Sequence, residues 1–248
     1  AIDTDAGILT ISPEPVETDD VVNFAEASDG VIITGTSNPG EMVTVTLGGV
    51  SHVVQTDANG IWEAPCAAGE IAPGTYTAEI TATITDSAGN TLYRTDSVEV
   101  DTEVLNFGVS DTPIEGDNVI NADEASDGVT LTGTTEQGGT VTVTVAGVTL
   151  LASVDAAGNW SVDIPGTSFG AAQEGVLVAE VHTTDRAGNT AETTLDLTVD
   201  TYVNRLTMSD DPITADNVVN ADEAAQGIAL NGLVEAGSTV TVTMGGVA

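Results

Sequence analysis

One acidic stretch of the chain recurs three times and carries the side chains best suited to binding a metal ion. Its central copy, Asp117–Ala125, reads DNVINADEA, and the other copies begin at Asp19 and Asp216. The copies start 98 (117 − 19) and 99 (216 − 117) residues apart. Each follows the pattern Asp-Asp/Asn-x-x-Asn-x-x-Glu, which crowds oxygen-bearing side chains into one short loop. Because Ca²⁺ prefers hard oxygen ligands, the repeated loop predicts calcium binding.

Other landmarks recur in the same register and divide the chain into repeats. The hairpin sequence TDSAGNT at Thr85–Thr91 matches TDRAGNT at Thr184–Thr190. The sequence Val-Asp-Thr occurs at 100–102 and again at 199–201. These landmarks predict two full repeats, 1–101 and 102–200, followed by the first half of a third at 201–248.

Each repeat has the pattern of an all-β domain. Apolar residues alternate with threonine at Met42–Leu47 and along Tyr76–Ile84, as in strands that turn one face to a core. Glycine- and asparagine-containing turns separate about seven short strands per repeat, which predicts tandem seven-stranded immunoglobulin-like β-sandwiches in an extended array. We expect Trp62 and Trp160 to fill the cores rather than bind sugar. Half a sandwich cannot cover its apolar faces, so the third repeat indicates a longer array.

The composition narrows the classes of partner. The 248 residues include 39 acidic and only 3 basic side chains, for a net charge of −36, so nucleic acid and anionic lipid are excluded as electrostatic partners. A hydrophobic content of 41% argues against disorder. No apolar run approaches the roughly 18 residues that a membrane helix needs. Cys66 is the single cysteine, so disulfides do not stabilise the fold.

The predicted sandwich brings several acidic segments to each joint between repeats. The acidic loop and the end of the last strand lie at one end of a domain, and the next domain presents its Asp-x-Ala-Gly-Asn hairpin there. We therefore expect calcium at each joint. The candidate ligands at the first joint are Asp19, Asp20, Asn23, Glu26, Asp101 and Asp185. Those at the second joint are Asp117, Asn118, Asn121, Glu124 and Asp200.

The same residues also have a metal-free interpretation. Asn121 followed by Glu124 fits the N-cap of a short helical turn, and Asp and Asn are common turn residues. Asp-x-Ala-Gly-Asn forms a good hairpin turn without any ion. Catalysis finds no support, because His52 and His182 lack counterparts in the other repeat, where Leu150 and Thr83 stand. The sequence therefore predicts a protein that is not an enzyme.

The order of these motifs resembles a known family. It runs from the DNVINADEA loop through Gly133-Thr134, a VTVTV strand, Gly158-x-Trp160 and TDRAGN to Val199-Asp200-Thr201. This order is similar to the bacterial immunoglobulin-like repeats of giant secreted adhesins, the RTX and biofilm-associated proteins exported by type I secretion. One departure is Phe24-Ala25, which stands where the other two copies have Ala-Asp.

The resemblance implies a structural role outside the cell. The chain would be an extender, or stalk, of a bacterial cell-surface adhesin or extracellular fibre, with Ca²⁺ stiffening its joints. Its partners would be the neighbouring repeats and, in a fibre or biofilm matrix, other copies, without nucleic acid or membrane insertion. Two alternatives stay open: a carbohydrate- or protein-binding module, and a self-assembling filament subunit.

Overall fold

The structure is a computed structural model that describes residues 2, 4–170 and 174–245. The outermost residues of the first and third predicted repeats, at 1, 3 and 246–248, therefore lie outside the described part. Two compact units divide the chain. The first comprises Ala1–Thr112, Thr130–Ile164 and Val178–Asp196, and the second comprises Pro113–Val129, Pro165–Leu177 and Leu197–Ala248.

A first β-sandwich occupies the N-terminal part of the first unit. Its strands are β1 (Leu9–Ile11), β2 (Val21–Val22), β3 (Val31–Ser37), β4 (Met42–Leu47), β5 (Val50–Gln55), β6 (Ile61–Cys66), β7 (Thr75–Thr85) and β8 (Thr91–Asp101), with helix α1 (Phe24–Asp29) between β2 and β3. They form a three-stranded sheet, β1-β3-β6, and a five-stranded sheet, β2-β8-β7-β4-β5. The expected seven strands are present, and the pair Val21–Val22 adds a short eighth strand that runs parallel to β8.

The second sandwich repeats this order and contributes residues to both units. Its strands are β9 (Gly108–Val109), β10 (Val119–Ile120), β11 (Val129–Thr134), β12 (Thr140–Val145), β13 (Val148–Leu151), β14 (Ser153–Val154), β15 (Asn159–Ile164), β16 (Glu174–Thr184) and β17 (Thr190–Asp200), with helix α2 (Ala122–Asp127) after β10. The sheets are β14-β15-β11-β9 and β10-β17-β16-β12-β13. The predicted all-β sandwich class is therefore confirmed.

The residues of the third predicted repeat form fewer elements. They are β18 (Leu206–Met208), helix α3 (Ala221–Gln226) and β19 (Gly232–Val234), and β18 pairs with β19. Large apolar side chains such as Leu206, Met208 and Leu233 are more than half exposed there. Among the described residues, no helix has both the length and the apolar character needed to cross a lipid bilayer.

A tryptophan that lies against a glycine is the centre of each core. Trp62 and Trp160 are 0% and 1% exposed, which confirms the expectation that they fill the sandwiches. A Cβ atom on Gly35 would lie 2.1 Å from Trp62 Cζ2, and one on Gly133 would lie 2.5 Å from Trp160 Cζ2. The Trp160 indole N–H donates to the carbonyl oxygen of Thr134 at 3.1 Å, so its polar edge is satisfied inside the core.

Each acidic loop folds into a six-residue helix with a complete capping box. In α1, Asn23 Oδ1 accepts from the backbone N–H groups of Ala25 (2.9 Å) and Glu26 (3.1 Å), and Glu26 Oε2 accepts from the Asn23 N–H at 2.9 Å. The same reciprocal pair caps the other helices, as Asn121 with Glu124 in α2 and Asn220 with Glu223 in α3. Because such a box satisfies backbone donors that have no helical partner, it explains how a helix this short persists.

We expect Gly133→Ala to destabilise the second sandwich by roughly 1–3 kcal/mol, because the new methyl group would overlap the carbonyl oxygen of Gly108 as well as Trp160. Calorimetric unfolding of the full chain measures the effect. The matched control is Gly108→Ala, since a Cβ there meets nothing within 4 Å. Equal melting temperatures for the two variants would contradict the packing account.

We expect Asn121→Ala to cost about 1 kcal/mol of stability in EDTA, because the Asn121 side chain caps α2. Thermal unfolding in EDTA and in calcium measures the effect. Asp123→Ala in the same helical turn serves as the control, since the cap uses only the Asp123 backbone N–H. A loss of stability that appears only in calcium would make Asn121 a ligand rather than a cap.

Candidate metal centre

The residues of the acidic loops are held by local hydrogen bonds. Asp19 Oδ1 accepts from the Val21 N–H at 3.1 Å, and Asp20 Oδ1 accepts from the Val16 N–H at 2.8 Å. Asp20 has a φ of 64°, and the matching Asn118 has a φ of 67°. Asp and Asn tolerate this left-handed backbone better than most residues do. The backbone therefore gives a reason for Asp or Asn at this position in every copy.

These bonds support the metal-free interpretation of the loops. The second copy repeats the pattern of the first: Asp117 accepts from the Val119 N–H at 2.9 Å, Asn118 accepts from the Ile114 N–H at 3.0 Å, and Asn121 and Glu124 form the cap of α2. Calcium coordination by the eight loop residues stays a prediction. Those residues are Asp19, Asp20, Asn23, Glu26, Asp117, Asn118, Asn121 and Glu124.

A carboxylate cluster lies where the first sandwich ends, and we call it cluster I. It consists of Asp101, Glu136 and Asp185, whose carboxylate oxygens lie within 4.8 Å of one another. Asp101 is the last residue of β8, Glu136 lies in the turn between β11 and β12, and Asp185 follows β16. Asp101 and Asp185 are only 6% and 7% exposed. The three residues come from distant parts of the sequence but belong to one compact unit.

Each member of cluster I is fixed by a different hydrogen bond. The Thr75 hydroxyl donates to Asp101 Oδ1 at 3.0 Å, and Thr75 is the register partner of Asp101 in the sheet. The Leu105 N–H donates to Glu136 Oε2 at 3.1 Å, so Glu136 also holds the chain that leaves β8. The cluster is therefore positioned by strand register and by the linker rather than by a single loop.

Asp185 is held by the hairpin that the sequence motif predicts. Its Oδ1 accepts from the Asn189 N–H at 2.8 Å, and its Oδ2 accepts from the Asn189 side-chain amide at 2.8 Å. Asp86 with Asn90 and Asp155 with Asn159 form the same turn. Side-chain and backbone hydrogen bonds lower the pKa values of Asp86 and Asp155 below the usual range for aspartate. This turn is therefore held by hydrogen bonds among its own residues.

A second carboxylate cluster, cluster II, lies in the second compact unit. It consists of Glu174, Asp200 and Glu235, again with oxygens within 4.8 Å of one another. Asp200 and Glu235 follow their counterparts Asp101 and Glu136 by 99 residues. The Asn204 N–H donates to Glu235 Oε2 at 2.9 Å, just as the Leu105 N–H donates to Glu136. The two clusters therefore share the same construction.

The third carboxylate differs between the clusters. Cluster II uses Glu174, which stands where the first repeat has Thr75 (174 − 99). Glu174 accepts a hydrogen bond from the Asn204 side-chain amide. A hydrogen bond with Glu174 raises the pKa of the Tyr202 hydroxyl, and the negative charges of Glu174, Asp200 and Glu235 raise it further. The Tyr202 hydroxyl is therefore a neighbour of this cluster.

The donor sets fit a hard divalent cation. Both clusters offer carboxylate oxygens only, without a histidine or cysteine ligand in either group. Oxygens on opposite sides of a calcium ion lie about 4.6–5.2 Å apart, so the observed separations suit a shared ion. Within the described part of the chain, no arginine forms a salt bridge with these carboxylates. The clusters could therefore bind ions, and a bound cation would offset the repulsion between like charges.

Sequence reasoning identified only part of each cluster. Asp101, Asp185 and Asp200 were among the predicted ligands, whereas Glu136, Glu174 and Glu235 were missed. The repeat register carried a signal for two of them, because Glu136 and Glu235 are 99 residues apart and each lies just beyond the strand that contains Gly133 or Gly232. The first repeat hides this signal, since Asn38 stands at the matching position (136 − 98). The eight loop residues belong to neither cluster.

Comparisons with known proteins agree with this architecture. Residues 108–201 match the family model described as a bacterial Ig-like domain, which is a structural family. The chain is 36% identical to a Ca²⁺-stabilised adhesin that helps an Antarctic bacterium reach out and bind ice, with a TM-score of 0.52. That alignment covers 94% of this chain and 58% of the adhesin structure, so the chain spans little more than half of that relative.

A second solved structure gives a similar result. It belongs to a 1.5-MDa bacterial ice-binding adhesin, studied for its retention on the host cell surface. The identity is 27% and the TM-score 0.50, over 94% of this chain and 77% of that one. A search of curated protein sequences finds no match. The chain therefore belongs to the bacterial immunoglobulin-like domains, as tandem repeats homologous to those of large bacterial adhesins.

Proposed function

We propose that the chain is a calcium-stiffened extender segment of a bacterial cell-surface adhesin. Cluster I is the observation that carries the proposal, because two nearly buried aspartates and a glutamate meet where the first sandwich ends. The homologous adhesin that is itself Ca²⁺-stabilised supports the choice of ion. The role is mechanical rather than catalytic: the repeats space a distant module away from the cell.

The ligands at the first joint are Asp101, Glu136 and Asp185, and those at the second are Glu174, Asp200 and Glu235. When bound, calcium supplies positive charge that offsets the repulsion within each cluster. Each cluster draws its carboxylates from the end of a long strand and from a turn of a later segment. Those groups must therefore come together for the ion to bind. Ion binding is thus linked to a well-ordered joint.

The stabilisation that calcium gives follows from its preferential binding to the assembled clusters. An ion that binds the assembled carboxylates and not the separated ones stabilises the assembled form, by about 2.7 kcal/mol at a concentration 100 times its dissociation constant. Extracellular calcium modules bind in the submillimolar to millimolar range, which suits an exported stalk. The partners of this chain are accordingly its own neighbouring repeats and, where adhesins gather, other copies.

Thermal unfolding of the full chain tests the proposal. We expect millimolar calcium, compared with EDTA, to raise the melting temperature by several degrees, because about 1 kcal/mol shifts the melting temperature of a domain of about 100 residues by roughly 4–8 °C. Glu136→Gln keeps the shape of the side chain but removes one charge from cluster I, so it should lose a substantial part of the calcium effect.

Glu63→Gln is the matched control, because Glu63 is an exposed residue of β6 outside both clusters. It should respond to calcium as the native chain does. A native melting temperature that calcium leaves unchanged would contradict the proposed function. An equal calcium response in Glu136→Gln and Glu63→Gln would remove cluster I as the site.

A further inference from the structure

One neutral side chain joins three segments beside cluster I. The Asn189 amide Nδ2 donates to the backbone carbonyl of Asp101 at 2.9 Å and to Asp185 Oδ2 at 2.8 Å. Its Oδ1 accepts from the backbone N–H of Phe24 at 2.8 Å. Asn189 is 7% exposed, and all of these residues belong to the first compact unit. Both amide protons and the amide oxygen of Asn189 are therefore used.

The bond to Phe24 supplies a partner that α1 itself cannot provide. Phe24 is the first residue of the helix, and the first N–H groups of a helix have no partner within it. The Asn23 cap serves Ala25 and Glu26 instead. The acceptor for Phe24 comes from a residue 165 positions later in the chain. This contact therefore completes the capping of α1 from the second sandwich.

The hairpin alone does not account for these contacts. In the first repeat, Asn90 makes the same bonds to its aspartate, with the side-chain amide 2.7 Å from Asp86 Oδ2 and the backbone N–H 2.9 Å from Oδ1. The Asp185–Asn189 turn likewise fixes the Asn189 side chain in place. The bonds from Asn189 to Asp101 and Phe24 are additional. They cost little further side-chain entropy, because the turn has already oriented the amide.

We propose that Asn189 is a calcium-independent latch of the first joint. It ties the end of β8 and the start of α1 to the hairpin after β16 through neutral hydrogen bonds that need no ion. The latch is also a positioning residue for cluster I, since it bonds to the backbone of Asp101 and to the carboxylate of Asp185. This deepens the proposed stalk function, but its test is carried out without calcium and so is independent of that function.

The test is amide hydrogen exchange of the full chain in EDTA, monitored by NMR. The Phe24 amide should be protected in the native chain and should exchange about tenfold faster in Asn189→Ala, because one hydrogen bond is lost. The Ala27 amide, bonded to the Asn23 carbonyl inside α1 at 2.9 Å, should keep its rate. Asn90→Ala is the matched control, and it should leave the Phe24 rate unchanged.

A second pair of variants keeps the test valid if Asn189→Ala folds poorly. Phe24→Pro removes the backbone N–H that donates to Asn189 Oδ1. Proline is well tolerated at the first helical position. Phe24→Ala keeps that N–H, and alanine is the residue of the other two copies. The Asn189 side-chain amide protons should exchange several-fold faster in Phe24→Pro than in Phe24→Ala. Equal exchange rates of the Asn189 side-chain amide in those two variants would contradict the proposed latch. So would a Phe24 amide that exchanges at the same rate in EDTA in the native chain and in Asn189→Ala.

Discussion

Repulsion between carboxylates is the constraint on which this chain depends. The sequence carries a net charge of −36, and the fold places three carboxylates within 4.8 Å at the end of a long strand, twice. Asp101 and Asp185 are nearly buried there, where water screens their charges poorly. Such an arrangement is favourable only when the repulsion is offset. We propose that a divalent cation does this together with hydrogen bonds from the Thr75 hydroxyl to Asp101 and from the Asn189 amide to Asp185.

The sandwiches supply the rigidity that makes such a cluster useful. With 3% aromatic residues, each core depends on alternating aliphatic strands around one tryptophan, and a glycine gives that tryptophan its space. The long strands β7, β8, β16 and β17 each run for eleven residues, and β8, β16 and β17 carry cluster residues at or beside their ends. Strand register therefore decides which side chain lies beside a cluster carboxylate, as the pairing of Thr75 with Asp101 illustrates.

Local patterns predicted the fold well and the site only in part. Period-2 alternation and the Gly and Asn turns were sufficient for the strands, and Trp62 was correctly placed in the core because it occurs once per repeat. The acidic loops allow two interpretations, because an oxygen-rich sequence can cap a helix as well as bind an ion, and the Asn23–Glu26 box forms from residues three apart. Glu136 and Glu174 were missed because only the tertiary fold brings them to Asp101 and Asp200.

Calorimetric titration of the full chain with calcium is the most direct test of the two carboxylate clusters, because it counts the bound ions and, with substitutions, locates them. We expect saturable binding by the native chain, the loss of one class of site in Asp101→Asn and the loss of another in Asp200→Asn. A native chain that takes up no calcium, or two variants that both bind as the native chain does, would contradict the assignment of calcium to the two carboxylate clusters.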